Sequence, residues 1–194
     1  MKKIFALVSS ALLLTTNLVA GQYVSLGIGP DVPETTSSYI KNQKIGGIYS
    51  AAYGYQLGDK IYAEVEATYR SRQNKTIYVD NGKDNITSKR YNSVYGWGYM
   101  ANVKYFLPQL EYDGLVPFAG AGIGWATNTI KDKIKYDSDQ AVEKIKDSRF
   151  AWQILAGFKY ALDDSYDVLT QYQYFNGESH IKNHSVNIIL RKNF

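Results

Sequence analysis

Cysteine is absent from the 194 residues of this sequence. Without a thiol the chain has no disulfide, no cysteine-ligated metal and no lipid-modified cysteine near its N-terminus. A disulfide-stabilised domain and a lipoprotein are therefore excluded.

A long apolar run is missing beyond the N-terminal region. The longest charge-free stretch there, residues 114–130, is interrupted by glycine, threonine, asparagine and Pro117. Because a membrane-spanning helix needs about 20 predominantly apolar residues, the sequence disfavours transmembrane helices.

Charge of one sign is not in large excess, since 22 lysines and arginines stand against 18 aspartates and glutamates. Removal of a leader containing Lys2 and Lys3 lowers the number of basic residues from 22 to 20, so the mature net charge is 20 minus 18, or +2. Nucleic-acid-binding domains carry a concentrated basic stripe. No nucleic-acid partner is predicted.

The N-terminus has the pattern of a secretory signal peptide. Lys2 and Lys3 precede an apolar run over residues 4–14, and small residues follow at Ala20 and Gly21. The run has the length of a signal-peptide core and is too short to span a membrane. We predict a signal peptide over residues 1–21, cleaved after Ala20 or Gly21, and one domain over residues 22–194.

Tyrosine and glycine are abundant, with 18 and 16 residues, and this composition favours sheets and turns over helices. Eight segments alternate apolar and polar residues with the two-residue period of a strand. They cover residues 22–29, 44–57, 60–70, 90–106, 116–126, 148–162, 166–175 and 184–194. The pattern predicts an all-β protein with eight strands.

An apolar face repeated along these strands indicates a lipid environment. Strands in a membrane close into a barrel, because an open edge would leave backbone groups without hydrogen-bond partners in hydrocarbon. Short turns at 57–60, 108–115 and 162–166 alternate with longer loops at 30–43, 71–89, 127–147 and 176–183. We predict an eight-stranded antiparallel up-and-down transmembrane β-barrel, with periplasmic turns and outer loops.

The charged strand positions alternate with the apolar face. A basic residue facing lipid near the membrane midplane costs up to roughly 2–4 kcal/mol, so these residues are predicted to face the barrel interior. The predicted interior polar network comprises Glu64, Glu66, Arg70, Lys104, Arg149, Gln153, Lys159, Gln171, Gln173, Asn187 and Arg191. A satisfied structural plug is preferred to a proton or ion relay, and no wide channel is expected.

The outward face is rich in aromatic residues towards its margins. Tyrosine and tryptophan suit the boundary between hydrocarbon and water, so aromatic girdles are predicted. Their members are Tyr49, Tyr53, Tyr55, Tyr69, Tyr91, Tyr95, Trp97, Tyr99, Tyr105, Trp125, Phe150, Trp152, Tyr160, Tyr172 and Tyr174. A soluble β-sandwich is the alternative fold, but it does not account for the alternating loop lengths.

Three segments carry a family resemblance: residues 116–125 (VPFAGAGIGW), residues 54–56 (GYQ) before a short turn, and residues 184–194 (HSVNIILRKNF). They resemble the outer-membrane β-barrel family that includes OmpA-like and opacity-type eight-stranded barrels and porin-family surface proteins. The resemblance covers the mature chain and implies the outer membrane of a Gram-negative bacterium.

The resemblance also implies a sorting signal at the C-terminus. Phe194, Leu190 and Ile188 match the residues that such proteins present to the barrel-assembly machinery, whereas Lys192 departs from the usual apolar residue. The family implies no fixed catalytic set. No enzymatic activity, cofactor or metal is predicted.

Two other motifs are weak matches. Gly120, Gly122 and Gly124 have the spacing G-x-G-x-G within a strand, without the helix that a dinucleotide site requires. Asp137 and Asp139 resemble the start of a calcium loop but lack its glycine. Neither motif predicts a binding site.

One catalytic alternative involves the last outer loop. A carboxylate, an imidazole and a hydroxyl at the outer leaflet are the groups of a Ser-His-Glu lipid A hydrolase. The candidates are Glu178, Ser179, His180, His184 and Ser185. The preferred interpretation is that they are solvated loop residues and part of the last strand.

Function is therefore expected in the outer loops. The second loop is net positive, contains an Asn81-Gly82 turn typical of an extended hairpin, and offers candidate binding residues for anionic partners: Arg72, Lys75, Lys83, Lys89 and Arg90. The charges of the third loop balance, which is typical of solvated surface.

The expected partners are outer-membrane lipid and lipopolysaccharide, the barrel-assembly machinery, and a host surface or acidic glycans. The leading hypothesis is a surface-exposed protein with a structural or adhesive, host-contact role. A small-solute pore and, less favoured, a lipid A-modifying enzyme are the alternatives.

Overall fold

The computed structural model describes residues 21–35, 44–79, 88–135, 140–178 and 181–194. The predicted signal peptide, apart from Gly21, lies outside these residues, and so do the Asn81-Gly82 turn, Lys83, Ser179 and His180. Within the described ranges no helix is both long and apolar enough to cross a membrane.

Eight antiparallel strands follow one another around a closed barrel. They are β1 (Gln22–Thr35), β2 (Gly46–Gln56), β3 (Ile61–Val79), β4 (Ser88–Phe106), β5 (Leu115–Lys135), β6 (Gln140–Ala161), β7 (Tyr166–Glu178) and β8 (Ile181–Asn193). Each strand pairs with its sequence neighbours, and pairing of β1 with β8 closes the wall. The predicted all-β, eight-stranded up-and-down barrel is confirmed.

Three short connections join neighbouring strands at one end of the barrel, which we call the turn end. They cover residues 57–60, 107–114 and 162–165, close to the predicted turns. The backbone N–H of Phe194 donates to the Gln22 carbonyl oxygen at 2.9 Å, so both ends of the described chain lie here. The other four connections lie at the opposite end, which we call the loop end.

The connection between β4 and β5 shows how the sequence sets a turn. Asp113 and Gly114 have positive φ angles of 51° and 77°. Consecutive positive φ angles are those of a type I′ turn, for which Asp-Gly is a preferred pair. Tyr112 and Leu115 exchange backbone hydrogen bonds of 3.1 and 3.0 Å around this turn.

The four strands β3 to β6 continue well beyond their predicted bounds. They contain 19 to 22 residues, whereas β1, β2, β7 and β8 contain 11 to 14.

Residues 71–89 and 127–147 were predicted as longer loops. Pairing of β3 with β4 as far as Val79↔Ser88 agrees with the extended hairpin predicted for the second loop, whereas the loop prediction for residues 127–147 is wrong because most of them continue β5 and β6. These segments carry polar residues at positions of both parities, with only scattered apolar residues such as Ile130, Ile134 and Val142. The regular apolar period that indicates a membrane strand is therefore lost, although backbone pairing continues.

The extensions of β3 to β6 form one paired sheet at the loop end. Pairing of β4 with β5 runs without interruption to Lys89↔Lys135, and pairing of β5 with β6 runs to Lys135↔Gln140. Pairing of β3 with β4 reaches Val79↔Ser88 after an irregularity between Asn74 and Ile77. A strand needs only about 9–11 residues to cross a membrane. We call residues 73–79, 88–93, 129–135 and 140–146 the projecting sheet.

Alternate residues of every strand face the barrel axis, and they fill it in layers. An apolar cluster near the turn end contains Tyr23, Tyr62, Phe106, Phe118, Leu169 and Ile189, and a second cluster towards the loop end contains Met100, Ala126, Ala151 and Phe175. Polar residues lie between the clusters. Glycines on β5 make room for them, since a Cβ at Gly122 would collide with the Asn102 side chain.

Candidate functional site

The centre of the polar interior is the carboxylate of Glu64 on β3. Lys104 on β4 places its Nζ 2.8 Å from Glu64 Oε1. The carboxylate also accepts hydrogen bonds from the Tyr23 hydroxyl at 2.9 Å and from Asn102 Nδ2 at 3.0 Å. A buried charge is tolerated when it is paired and its remaining lone pairs are satisfied, and Glu64 meets both conditions.

A chain of amide side chains links Glu66 to the far wall of the barrel. Asn102 Nδ2 and Gln153 Nε2 donate to Glu66 at 2.9 and 2.8 Å. Gln173 Nε2 donates to Gln153 Oε1, and Asn187 Nδ2 donates to Gln173 Oε1 at 3.1 Å. The chain therefore crosses the lumen from β3 through β6 and β7 to β8.

A second carboxylate, Asp31 on β1, organises the interior nearer the loop end. The Ser185 hydroxyl donates to Asp31 Oδ1 at 2.6 Å. Arg70 Nε and Arg72 Nη1 lie 3.6 and 4.0 Å from the Asp31 carboxylate oxygens, and Arg72 Nη1 donates to Asn183 Oδ1 at 2.7 Å. Asp31 was missed by the sequence analysis because it lies between Pro30 and Pro33 in a predicted loop.

A third ion pair lies near the turn end. Arg191 donates from both Nε and Nη2 to Asp167 Oδ2, at 2.7 and 2.5 Å. The guanidinium carbon also lies 5.0 and 5.1 Å from the ring centroids of Tyr23 and Tyr62. Cation–π contact adds to the ion pair in a site that excludes water.

The structure brings most of the predicted interior residues together. The side chains of nine are buried: Glu64, Glu66, Arg70, Lys104, Gln153, Gln171, Gln173, Asn187 and Arg191. The other two, Arg149 and Lys159, are half-buried, and Arg149 pairs with Asp147 towards the loop end.

The charges of the buried interior cancel among the described residues. The acidic members are Asp31, Glu64, Glu66 and Asp167, and the basic members are Arg70, Arg72, Lys104 and Arg191. Four negative and four positive groups give zero net charge. The interior is arranged as a neutral plug in which Asp31, Glu64 and Asp167 have basic partners and Glu66 accepts amide hydrogen bonds.

One predicted binding residue, Arg72, lies inside the barrel. It was assigned to the second outer loop as a binding residue, but its side chain is buried beside Asp31 inside the barrel. The physical reason is the length of β3, because residue 72 continues the inward parity of residues 64–70. Lys75, Lys89 and Arg90 lie on the projecting sheet.

The outer surface of the wall is apolar across its middle. Val65 and Ile188 are 61% and 62% exposed, and Val103, Ile123 and Ile154 are exposed beside them. Soluble proteins rarely expose a continuous apolar band of this kind. The band fits the hydrocarbon of a membrane.

Aromatic side chains lie along the loop-end margin of this band. Tyr69 packs against Trp97 with ring centroids 5.1 Å apart. Trp125 and Phe150 make an edge-to-face contact at 5.9 Å. Rings at a membrane margin are typical of an aromatic girdle.

The residues of the hydrolase alternative are separated by the wall. His184 lies on the outer surface, where Nδ1 is 2.6 Å from the Tyr172 hydroxyl and Nε2 is 3.1 Å from Glu34 Oε2. Ser185 lies inside and is bonded to Asp31. Successive strand residues face opposite sides, so the described residues do not form a Ser-His pair.

Glu34 lies at the loop-end terminus of β1, exposed to solvent. The hydrogen bond from His184 holds the pKa of its carboxyl below the usual value. In the described ranges no group of three or more histidine, aspartate or glutamate side chains is arranged to hold a metal ion. Asp137 and Asp139 lie outside those ranges.

The last strand carries the predicted assembly signal. Ile188 and Leu190 are exposed on the outer wall of β8, and the Nζ of Lys192 lies 4.9 Å from the ring centroid of Phe194. Lys192 thus occupies an outward position next to the terminal aromatic ring. Recognition of this segment by an assembly machinery stays a prediction.

No curated protein sequence matches this chain. It is similar in structure to Neisserial surface protein A, with 14% identity, a TM-score of 0.55, and coverage of 90% of this chain and 98% of that one. It is also similar to Ail, the attachment invasion locus protein of Yersinia pestis, with 11% identity, a TM-score of 0.54, and coverage of 91% and 100%.

At these identities the two structures show a shared fold and no more. The family model described as outer membrane protein beta-barrel domain matches residues 4–194, which is nearly the whole chain. The closed barrel, its apolar outer band and its paired interior agree with that match. The chain therefore belongs to the outer membrane protein β-barrel domain family, and its location is the bacterial outer membrane.

Proposed function

We propose that this protein is a non-enzymatic membrane anchor that presents its projecting sheet outside the cell for contact with host or neighbouring surfaces. The observation that carries the proposal is the difference in strand length around the barrel. Strands β3 to β6 are roughly twice as long as a membrane crossing requires. Outer-membrane barrels place short turns in the periplasm and long connections outside, so the projecting sheet is extracellular.

The interior supports an anchor rather than a solute pathway. The Glu64–Lys104 pair and the amide chain from Glu66 to Asn187 cross the lumen through direct side-chain hydrogen bonds. An eight-stranded barrel has an interior just wide enough for side chains to fill. A continuous water path would require these buried pairs to separate.

The projecting sheet supports a contact function. Loops and extensions on a rigid scaffold are where binding residues concentrate, and here the scaffold holds four paired strands. Ail, which has the same fold, is named an attachment invasion locus protein. A structural and adhesive role agrees with both points.

The test is to shorten both projecting hairpins while keeping the membrane barrel. In one variant residues 74–92 and residues 130–145 are each replaced by an Asn-Gly turn. The first turn connects Gln73 to its cross-strand partner Ser93, and the second connects Thr129 to its partner Lys146. We expect expression and heat-dependent gel mobility to be kept, and bacterial adherence to cultured host cells to fall to the level of a deletion strain.

The control removes a different outer segment. Replacement of residues 36–43 by Asn-Gly leaves the projecting sheet intact and should leave adherence unchanged. Adherence of the shortened barrel at the level of the unmodified protein would rule out the projecting sheet as the contact surface.

A further inference from the structure

The β1–β8 pairing that closes the barrel is interrupted once. It runs to Ile28↔Ile188, skips the next two positions of β1, and resumes over residues 31–35 and 181–185. We call these two paired segments the outer seam. The outer seam lies at the loop end of the barrel, and the rest of the β1–β8 pairing lies between it and the turn end.

Pro30 accounts for the interruption. The backbone N–H of Phe194 donates to the carbonyl oxygen of Gln22, and residues hydrogen-bonded to the same neighbour recur at every second position of an antiparallel strand. Even-numbered residues of β1 therefore turn their backbone groups towards β8. Proline has no N–H group, so Pro30 removes one hydrogen bond from the pairing and divides the outer seam from the rest.

The β1 side of the outer seam has one neighbouring strand. Pairing of β1 with β2 ends at Asp31↔Gly46, so among the described strands residues 32–35 pair with β8 alone. Pro33 is an odd-numbered residue, so its missing N–H lies on the unpaired side, where proline is tolerated. Few backbone hydrogen bonds hold this end of β1, and segments of this kind open locally at a lower free energy than a core strand.

Side chains inside the barrel hold the outer seam closed. The Ser185 hydroxyl on β8 donates to Asp31 Oδ1 on β1 at 2.6 Å. The Arg72 guanidinium on β3 contacts both strands, since Nη1 donates to Asn183 Oδ1 on β8 at 2.7 Å and lies 4.0 Å from Asp31 Oδ2. Arg70 Nε lies 3.6 Å from Asp31 Oδ1. All five side chains are buried, so these contacts are little screened by water and salt.

The contact on the outer surface of the same segment is weaker. His184 Nε2 lies 3.1 Å from Glu34 Oε2, and 35% and 55% of the two side-chain surfaces are exposed. Exposed pairs of this kind contribute little to stability. Closure of the outer seam therefore depends on the buried carboxylate of Asp31.

We propose that the outer seam is a latch that opens without unfolding of the barrel, and that the Asp31 carboxylate keeps it closed. Opening separates residues 31–35 from β8 and exposes Arg70 and Arg72, which are buried in the closed state, to the extracellular side. The amide chain from Glu66 to Asn187 lies deeper in the lumen and stays in place. The latch is independent of the proposed contact with other cells.

The test measures hydrogen–deuterium exchange of the full mature barrel in lipid nanodiscs by mass spectrometry. In the unmodified protein, residues 31–35 should exchange faster than residues 22–28 of the same strand. Asp31→Asn keeps the size of the side chain and an acceptor for Ser185 but removes the charge. Loss of a charge-assisted hydrogen bond and of two arginine contacts should speed exchange of residues 31–35 by about tenfold or more and leave residues 22–28 unchanged.

The matched control is Asp167→Asn. Asp167 is also a buried carboxylate that pairs with an arginine, Arg191, but it lies near the turn end. Because distant sites with no shared partners act independently, this change should leave exchange of residues 31–35 as it is in the unmodified protein. Heat-dependent gel mobility shows whether each variant is folded.

A disulfide across the outer seam gives a second measurement that leaves Asp31 in place. The chain contains no cysteine, so Val32→Cys/His184→Cys introduces one possible bridge, between residues that pair directly across the seam. Directly paired residues have Cα atoms about 5.5 Å apart, which a disulfide can span. Oxidation should slow exchange of residues 31–35, and reduction should restore it.

Four results would each overturn the proposal. They are uniform exchange along β1 in the unmodified protein, unchanged exchange in folded Asp31→Asn, equal acceleration of residues 31–35 by both aspartate variants, and a disulfide that forms without slowing exchange.

Discussion

Lys104 and Glu64 are diagonal neighbours across the β3–β4 ladder inside the barrel, with Nζ 2.8 Å from Oε1 and both side chains buried. The pair connects the amide chain to the wall, since Asn102 contacts both Glu64 and Glu66. Its two residues come from strands whose outer surfaces are apolar. Contact with lipid therefore accounts for the apolar residues on the outer surface of this barrel, and ion pairing accounts for the charged residues in its interior.

Replacing Lys104 by methionine should strongly destabilise the protein. The Glu64 carboxylate would stay buried with only neutral donors, Tyr23 and Asn102, beside it. Removing one partner of a buried ion pair costs about 3–5 kcal/mol. The measurement is the free energy of unfolding in urea, with the barrel reconstituted in lipid vesicles and followed by gel mobility.

The double variant Glu64→Gln/Lys104→Met is the control for this prediction. It removes both charges, and neutral replacements of buried pairs are often nearly neutral in stability. We expect it to recover most of the stability lost by Lys104→Met. Equal stability of Lys104→Met and the unmodified protein would show that the pair does not support the fold.

Substitution of Gly157 by alanine should destabilise the wall, whereas the same change at Gly58 should not. A Cβ at Gly157 would collide with the backbone carbonyl oxygen of Thr170 on the paired strand, while one at Gly58 meets nothing within 4 Å. Overpacking of this kind costs about 1–3 kcal/mol. Urea unfolding of the two variants, compared side by side, measures the difference, and similar values for both would contradict the prediction.

The membrane part of the fold could be predicted because the surrounding lipid favours apolar residues and the barrel interior favours polar ones. These two kinds of residue alternate along each strand. Glu64, Glu66 and Arg70 alternate with Ala63, Val65 and Tyr69, and only a lipid-facing wall around a polar interior satisfies both sets. The strand count and the turns follow from that alternation. The sequence alone therefore reveals the barrel.

The Asn81-Gly82 pair indicated the β3–β4 half of the projecting sheet as an extended hairpin, but the β5–β6 half could not be predicted from alternation. Both faces of residues 129–135 and 140–148 carry polar residues, so hydrophobic periodicity gives no signal although the backbone is paired. Arg72 was assigned to a loop for the same reason. Only the pairing register separates Lys131 and Lys133 from Asp132, because the charge balance of a segment does not depend on its faces.

The barrel should not conduct ions in planar bilayers. The lumen is crossed by the side chains of Glu66, Gln153 and Gln173, and each is buried. Opening a path would separate several hydrogen-bonded groups in a low-dielectric interior, which is unfavourable. Recordings should show no discrete current steps, with insertion verified by heat-dependent mobility of protein recovered from the bilayer lipid. Regular single-channel steps would support the pore hypothesis instead.

Variants of His184 and Ser185 should separate a structural role from a catalytic one. Ser185→Ala removes the 2.6 Å hydrogen bond to buried Asp31, and the loss of a bond to a charged group costs about 1.5–3 kcal/mol. His184→Ala removes only contacts on the outer surface, so its free energy of unfolding should change much less. Neither variant should alter lipid A acylation in intact cells, measured by mass spectrometry. A Ser-His hydrolase would behave in the opposite way, because both variants would abolish the same deacylation while their stabilities differed little.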